Sequence, residues 1–212
     1  MGFTNLTFKT AFHLFIFSTF VLFSSFFNTA FASQKILVWG DSLSAAYGIS
    51  VEKGWVSLMK KELEGKAEII NGSISGETTQ GGLTRLPAAL KKHQPNIVII
   101  ELGANDGLRG ILPHVTKANL KKMITQSQAS DAKVILLGMK IPPNYGMAYS
   151  QKFEAIFSGL AEEYQLPFVP FFLSEIIEKL ELLQEDELHP TAEAQPLLLK
   201  EVLPTIKLAL KK

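Results

Sequence analysis

The sequence predicts an α/β fold in which helices cover both faces of a parallel sheet. Short apolar runs alternate with longer amphipathic stretches along most of the chain. Several of these runs end at glycine or at an Asn-Gly pair, and no internal repeat or low-complexity linker interrupts the alternation. A strand-helix-strand rhythm of this kind favours parallel strands that are joined by helical crossovers.

The strand predictions follow the apolar runs, of which residues 97–102 form the clearest because they lie between Pro95-Asn96 and Gly103. In chain order, we predict strands over residues 36–39, 67–70, 97–102, 134–139 and 168–171. The amphipathic stretches predict helices over residues 55–63, 83–92, 117–127, 149–164, 173–182 and 192–208.

The N-terminal segment has the composition of a secretory signal peptide. Ten of the 15 Phe residues fall between Phe3 and Phe31, and this stretch has no acidic residue and a single lysine, Lys9. The run ends in small residues, which predicts cleavage after Ala32. An uncleaved membrane anchor is the alternative, but polar residues interrupt the run and a stable span needs about 20 mostly apolar residues. We therefore expect residues 1–32 to be removed, the protein to be periplasmic or secreted, and residues 33–212 to form one domain.

The overall charge and the absence of cysteine exclude several classes of function. The formal net charge is +1, with 21 basic and 20 acidic residues, so nothing indicates the concentrated basic face of a nucleic-acid-binding protein. The chain has no cysteine. Disulfides, zinc sites built on thiolates and a catalytic cysteine are therefore excluded.

A serine directly follows the first predicted strand, in the segment Gly-Asp-Ser-Leu-Ser at positions 40–44. Ligands of open parallel sheets bind at the carboxyl ends of the strands, so Ser42, at the start of a helix, would be exposed above the sheet. Serine and aspartate are also common helix caps, and on this segment alone a cap is the stronger interpretation. The segment lacks the Gly-x-Ser-x-Gly pattern of the α/β-hydrolases.

Two further segments could supply hydrogen-bond donors at the same edge. Ser75-Gly76 follows the second predicted strand, and Gly76 can leave a backbone N–H free to bind an anionic oxygen. Asn105 follows the third strand and carries a side-chain amide, a common element of an oxyanion hole. Each segment alone is also compatible with an ordinary polar turn.

A carboxylate and an imidazole lie three residues apart near the C-terminus, at Asp186 and His189. In a tight turn, the carboxylate would contact one imidazole nitrogen and leave the other nitrogen as a base. A surface ion pair and a metal-binding pair are the alternatives, although no third ligand of matching spacing is present. Together, the four segments supply a nucleophile, two oxyanion donors, a base and a residue that orients the base.

The order Ser, Gly, Asn, His in these segments resembles the SGNH (GDSL) hydrolase superfamily. Segments 40–44, 75–76, 103–106 and 186–190 match its four blocks. A closer resemblance is to the periplasmic acyl-CoA thioesterase, lysophospholipase and arylesterase branch of this superfamily. It rests on segments 101–110 and 141–146, and on His189-Pro190 followed by Ala194-Gln195-Pro196. Ala46 and Ala104 stand where glycine is frequent, which we expect to leave the chemistry unchanged.

The resemblance implies a three-layer α/β/α sandwich, flavodoxin-like, with a five-stranded parallel sheet. It implies Ser42 as nucleophile, His189 as base and Asp186 as its orienter, with an oxyanion hole formed by Ser42, Gly76 and Asn105. It implies that loops after Gly76 and at residues 142–146 border an acyl groove; the substrate-contacting residues would be Asp41, Glu77, Thr78, Asn144, Tyr145 and Gly146. It further implies a mechanism that needs no metal and no cofactor.

These features predict an exported serine hydrolase that cleaves ester and thioester bonds of small acyl substrates. We expect the mature protein to be a monomer and to have no stable membrane span. A carbohydrate O-acetyl esterase of the same superfamily is one alternative. A non-catalytic exported binding protein is the second. Because thioesters are usually cytoplasmic, lysophospholipids or other esters are the more plausible natural substrates.

Overall fold

The structure is a computed structural model that describes residue 1 and residues 33–211. The predicted signal peptide, apart from its first residue, lies outside the described residues. Five parallel strands form one sheet in the order β2-β1-β3-β4-β5, which confirms the predicted five-stranded parallel sheet. The strands are β1 (Gln34–Gly40), β2 (Ala67–Asn71), β3 (Ile97–Glu101), β4 (Lys133–Leu137) and β5 (Phe168–Val169).

Helices pack in two groups, which completes the three-layer α/β/α arrangement. One group pairs α1 with α6, and in the other α4 packs between α2 and α5. The helices are α1 (Trp55–Glu62), α2 (Thr79–His93), α3 (Ala104–Leu108), α4 (Pro113–Ala129), α5 (Met147–Glu163) and α6 (Gln195–Leu210). Short 3-10 helices cover Val51–Lys53, Pro143–Tyr145 and Leu180–Leu182.

The apolar core is centred on β3. All four isoleucine and valine residues of Ile97–Ile100 are completely buried, and the middle of β1 is equally buried. Central parallel strands are covered on both faces, which is why their sequences are continuous apolar runs instead of alternating ones. Large side chains from the helices close the core, among them Trp55, Phe153 and Phe157.

The predicted helix over residues 173–182 is wrong. Residues 172–178 form consecutive turns, followed by a 3-10 helix at Leu180–Leu182. The hydrogen bonds from Ile176 N–H to the Leu173 carbonyl and from Lys179 N–H to the Ile176 carbonyl span three residues, as in tight turns. Apolar spacing cannot distinguish such a series of turns from a helix, because both bury residues three or four apart.

One other local prediction also differs from the structure. Ser42, which we predicted at the start of a helix, begins a series of turns over residues 42–48. Asn105, for which a polar turn was one interpretation, lies in the short helix α3.

The strand order reverses at β1, because β2 lies on one side of it and β3 on the other. Gly40, the last residue of β1, is paired with Glu101, the last residue of β3, so the two strands end at the same level. Ligands of open α/β sheets bind in the crevice outside such a switch point. The segments that carry Ser42 and Asn105 both leave the sheet there. Within the described residues, no helix combines the length and the apolar character needed to cross a bilayer.

Candidate active site

Residues 41–44, at the start of the turn that carries Ser42, are compact and buried. Ala45 N–H donates to the Asp41 carbonyl at 2.9 Å, and Leu43 N–H donates to Asp41 Oδ1 at 3.1 Å. Ser42 itself is 9% exposed, and its hydroxyl lies on the wall of a cavity. The hydroxyl therefore meets a ligand from one direction only.

His189 bridges Ser42 and Asp186. Its Nε2 atom lies 2.9 Å from Ser42 Oγ, and its Nδ1 atom lies 2.6 Å from Asp186 Oδ2. Because an ionised carboxylate can only accept hydrogen bonds, Nδ1 carries the ring proton and donates it to Asp186. The lone pair of Nε2 then faces the serine hydroxyl, as a general base requires.

Asp186 is held in its ionised form. Burial opposes its ionisation, but hydrogen bonds from the backbone N–H and the ring of His189 and from the N–H of Leu188 outweigh this effect and lower the pKa of Asp186 to about 2. Both backbone N–H groups donate to Oδ1, at 2.9 Å and 3.0 Å. Oδ2 therefore remains available to the imidazole.

The loop that carries Asp186 and His189 is closed by Gln184. Its backbone N–H donates to the His189 carbonyl at 2.7 Å, and its side-chain Nε2 donates to the carbonyls of Tyr47 at 2.8 Å and Pro190 at 3.0 Å. The Tyr47 ring lies against the His189 ring, with 4.4 Å between the ring centroids. Gln184 and Tyr47 thus fix the loop against the turn that carries Ser42.

Asn105 connects the segments that follow three strands. Its Nδ2 atom donates to Asp41 Oδ2 at 3.1 Å and to the Glu77 carbonyl at 3.0 Å. Asp41 precedes Ser42, and Glu77 follows Gly76. The Asn105 amide therefore links the residue before Ser42 to the residue after Gly76; Ser42 and Asn105 line the cavity described below, and Gly76 does not. Gly76 has a φ of +76°, which favours glycine, and its carbonyl accepts from Arg109 Nη2 at 3.0 Å.

The neighbour of Asn105, Asp106, anchors α3 to the start of α2. Its carboxylate accepts from Thr79 N–H at 2.8 Å, from the Thr79 hydroxyl and from the Thr116 hydroxyl at 3.3 Å. Asp106 and Thr79 are buried. This anchor fixes Asn105 relative to the loop that carries Gly76.

Asp41 is completely buried between these segments. Burial raises the pKa of Asp41 to about 6, although hydrogen bonds from Leu43 and Asn105 and the charge of His189 lower it. The Asp41 carboxyl lies on the cavity wall, but both of its oxygens already accept hydrogen bonds from the protein.

A cavity of about 660 Å³ opens beside Ser42, His189 and Asn105. Its wall is mostly apolar, and part of it comes from the turns where we predicted a helix. The apolar lining consists of Leu43, Ala104, Leu108, Met139, Ile141, Pro142, Phe171, Leu173, Ile177 and Leu188. Ligand sites combine an apolar wall with a few convergent polar groups in this way.

Most of the predicted substrate-contacting residues lie outside the lining of this cavity. Among the six, Asp41 lines it. The Glu77 carboxylate pairs with Arg85 at 2.6 Å, and the Thr78 hydroxyl caps α2 by accepting from Gly81 N–H at 3.3 Å. Asn144, Tyr145 and Gly146 are exposed. Their contact with a substrate stays a prediction.

Within the part of the chain that the structure describes, no group of three or more His, Asp or Glu side chains could hold a metal ion. Among the polar groups at the cavity are those that nucleophilic catalysis requires: a hydroxyl, an imidazole with an oriented proton, and an amide donor.

Residues 38–196 match the model of the GDSL-like lipase/acylhydrolase family. This match covers most of the chain and includes Ser42, Gly76, Asn105, Asp186 and His189. The chain belongs to the GDSL-like lipase/acylhydrolase family. Family membership confirms the resemblance that the four segments indicated, and with it the prediction of a carboxylic ester hydrolase.

Curated relatives carry names of the same kind. The chain is 49% identical over 179 residues to an arylesterase of Vibrio mimicus, which covers 83% of this chain and 90% of that protein. It is 43% identical to thioesterase 1/protease 1/lysophospholipase L1 of Escherichia coli strain K12, over 79% of this chain and 80% of that protein. It is 45% identical to esterase TesA of Pseudomonas aeruginosa, over 83% of this chain and 89% of that protein.

Solved structures of family members share this fold. A crystal structure of TesA is 44% identical, with a TM-score of 0.80 over 83% of this chain and 99% of that chain. A second structure is that of the psychrotrophic esterase EstA from Pseudoalteromonas sp., solved in a form inhibited by monoethylphosphonate. It is 43% identical, with a TM-score of 0.81 over 85% of this chain and 100% of that chain.

Several residues that contact the candidate active site were not predicted from the sequence. Tyr47 and Gln184 contact the base loop, but Gln184 reaches Tyr47 across 137 positions, which no local pattern reveals. The apolar residues of the cavity wall look like core residues in the sequence. Glu101 gave a usable signal, because it is a single charge at the end of an otherwise apolar strand.

Proposed function

We propose that the protein cleaves carboxylic ester and thioester bonds of acyl substrates, with Ser42 as nucleophile, His189 as base and Asp186 as the residue that orients the base. The observation that carries this proposal is the double contact of the His189 ring, with Ser42 on Nε2 and Asp186 on Nδ1. A serine hydroxyl is a weak nucleophile without a base in hydrogen-bond reach, and His189 is within that reach.

The reaction has two steps of the same form. Ser42 Oγ attacks the acyl carbonyl while its proton moves to His189 Nε2, and the C–O or C–S bond breaks as His189 returns the proton to the leaving alcohol or thiol. Water then attacks the acyl-enzyme, again with His189 as base, and the acid is released. The ionised Asp186 stabilises the imidazolium that forms in each step.

The backbone N–H groups of Ser42 and Gly76 and the side chain of Asn105 would stabilise the oxyanion of each tetrahedral intermediate. The Asn105 amide donates to Asp41 and to the Glu77 carbonyl in the structure. We propose that the developing oxyanion takes one of these two hydrogens. The hydrogen bond to the oxyanion would then replace one of the two that the amide already makes, while the other keeps the amide in position.

The cavity favours acyl chains longer than acetyl. Its mostly apolar wall begins at the proposed nucleophile, which suits a hydrocarbon or aryl group better than an acetylated sugar. Relatives named arylesterase, lysophospholipase and thioesterase support the same substrate class. Neither the carbohydrate O-acetyl esterase nor the non-catalytic binding protein gains support from the site.

We also propose that the protein is exported to the periplasm or secreted, that its signal peptide is cleaved behind Ala32, and that it works as a monomer. The N-terminal sequence supports export, and all residues of the proposed site come from one chain. N-terminal sequencing of the protein recovered from a periplasmic fraction tests the cleavage, and sedimentation velocity tests the monomer. An N-terminus at Met1 would contradict the first proposal, and a dimer would contradict the second.

A substrate panel tests the reaction. The purified protein should hydrolyse p-nitrophenyl esters beyond acetate, together with lysophospholipid or acyl-CoA. Ser42→Ala should lose about 10⁶-fold in kcat. Ser158→Ala, which removes an exposed hydroxyl on α5, should leave kcat unchanged. Activity confined to acetyl esters would favour the O-acetyl esterase, and full activity of Ser42→Ala would overturn the proposed mechanism.

A further inference from the structure

Glu101 is a buried carboxyl that the proposed mechanism does not use. It is the last residue of β3, follows four completely buried apolar residues and is itself 0% exposed. Burying a carboxyl costs free energy unless the group is hydrogen-bonded or paired with a cation. No ion pair among the described residues involves Glu101. The contacts of this carboxyl therefore need a separate explanation.

One oxygen of Glu101 contacts both sides of the turn that carries Ser42. Oε2 accepts a hydrogen bond from the Ser44 hydroxyl at 2.6 Å and one from the Asp41 N–H at 3.3 Å. These two donors flank Ser42 and Leu43. The Glu101 carboxyl therefore fixes the backbone of residues 41–44 relative to β3.

Gly40 leaves the space that this contact needs. A Cβ atom at position 40 would lie 2.5 Å from Glu101 Oε2 and 2.9 Å from Ser44 Oγ. Both distances are shorter than van der Waals contact, so any other residue at position 40 would displace the carboxyl or the hydroxyl. The first glycine of the Gly-Asp-Ser segment is thus explained by the carboxyl behind it.

The second oxygen, Oε1, has no hydrogen-bond partner within the described residues. Burial raises the pKa of Glu101 well above its usual range, and the nearby Asp41 carboxylate raises it further, while hydrogen bonds from Ser44 and Asp41 lower it less. Oε2 is the oxygen that accepts both hydrogen bonds, and it can accept them whether or not the carboxyl carries a proton.

We propose that Glu101 is a positioning residue, a double hydrogen-bond acceptor that holds the backbone of residues 41–44 and so orients the N–H and the hydroxyl of Ser42. The inference rests on the proposed function of Ser42. It extends that function, because Glu101 reaches the reaction only through Asp41 and Ser44. A displacement of a reacting group by about 1 Å can reduce a rate about 100-fold.

Three variants separate positioning from mere stability. In Glu101→Gln, the amide oxygen can accept both hydrogen bonds without a charge, so kcat should stay within about 3-fold of wild type. In Glu101→Leu, both bonds are lost, and kcat should fall about 100-fold while KM changes little. Ser44→Ala removes one of the two bonds and should lower kcat about 2–10-fold.

Ser127→Ala is the matched control. Ser127 is a completely buried serine on α4 whose hydroxyl donates to the Met123 carbonyl at 2.9 Å, far along the chain from residues 41–44. Its kcat should equal that of wild type. The assay measures kcat and KM on a p-nitrophenyl ester, with far-UV circular dichroism to verify folding. If Glu101→Leu does not fold, Glu101→Gln and Ser44→Ala decide the question.

The outcomes separate this inference from the proposed function. An inactive wild-type protein that a fluorophosphonate does not label would overturn both. An active wild type would overturn the role of Glu101 alone under any of three results. These are wild-type kcat in folded Glu101→Leu, a loss in Glu101→Gln as large as in Glu101→Leu, and no difference between Ser44→Ala and Ser127→Ala.

Discussion

Ser42 and His189 lie 2.9 Å apart, but the segments that carry them are held by different kinds of contact. The turn around Ser42 is buried and tied to β3 and α3 through the carboxyls of Glu101 and Asp41. The loop around His189 lies at the surface, where the side chain of His189 is 20% exposed and that of Asp186 is 38% exposed.

The carboxyls of the two sides differ in the same way. Burial raises the pKa of Asp41 and Glu101, whereas local hydrogen bonds lower the pKa of Asp186. The buried carboxyls near Ser42 therefore reduce stability at neutral pH when they ionise. The carboxylate near His189 is partly exposed and stays ionised. We expect substitutions on the base side to affect mainly activity, and those on the nucleophile side to affect activity and stability together.

Among the substitutions that compare the two sides, Asp186→Asn should have the largest effect. An asparagine can hold the imidazole in the wrong tautomer, and we expect kcat to fall by about 10⁴-fold. Asp186 is partly exposed, so solvent screens its contribution to stability, and the thermal midpoint of Asp186→Asn should fall only slightly at pH 7. Steady-state kinetics and a thermal melt measure both, with the exposed Asp131→Asn as control. A large drop in melting temperature would break the comparison.

Acid should affect Asp186 only at low pH. Its pKa is about 2 in the folded protein and near 4 in an unfolded chain, so its contribution to stability is present above about pH 4. That contribution is lost as the pH falls through 2. Asp186 should therefore add no acid limb to the rate profile above pH 4.

Asn105→Ala should lower kcat by about 10²–10³-fold, because one oxyanion donor is lost. On this buried side stability should also fall, by about 1–3 kcal/mol, since Asp41 Oδ2 loses a hydrogen-bond donor in the protein interior. Asn96→Ala is the control: its Oδ1 accepts from Lys35 N–H at 2.8 Å, so it should lose stability and keep kcat. Unchanged kcat in Asn105→Ala would contradict the oxyanion assignment.

The buried carboxyls should make stability fall as pH rises. A carboxyl whose pKa is raised by folding binds its proton more tightly in the folded state, so ionisation on the alkaline side favours unfolding. Each unit of pKa shift corresponds to about 1.4 kcal/mol. Urea unfolding of wild type and Glu101→Gln at several pH values between 5 and 9 measures this. The wild type should lose more stability across this range, and parallel curves would contradict the account of Glu101.

Ala46→Gly should have the smallest effect. Ala46 has a φ of 60°, a left-handed conformation that costs a non-glycine residue about 1–2 kcal/mol. Part of the gain is offset by the greater freedom of glycine in the unfolded chain, about 0.4–1 kcal/mol. Ala45→Gly, at a neighbouring position without positive φ, is the control. The free energy of unfolding in urea should be about 1 kcal/mol higher for Ala46→Gly than for Ala45→Gly. The reverse order would show that the backbone at Ala46 is not strained.

Features of the fold and of the site that depend on a local sequence pattern could be predicted from the sequence. Short apolar runs predicted all five strands, and the runs of the central strands are continuous because such strands are buried on both faces. The turns at residues 172–178 were mistaken for a helix because their apolar residues recur at helical spacing. Contacts between distant segments, such as Gln184 with Tyr47 or Glu101 with Ser44, depend on the folded topology and left no periodic trace.

Covalent labelling with a fluorophosphonate tests the central claim most directly. The reagent forms a bond between phosphorus and the activated serine oxygen and releases fluoride, and mass spectrometry of the digested protein locates it. We predict a single label on the peptide that contains Ser42, no label in Ser42→Ala, and much slower labelling in His189→Ala. A label on another serine, or one that persists in Ser42→Ala, would contradict the assignment of Ser42 as the nucleophile.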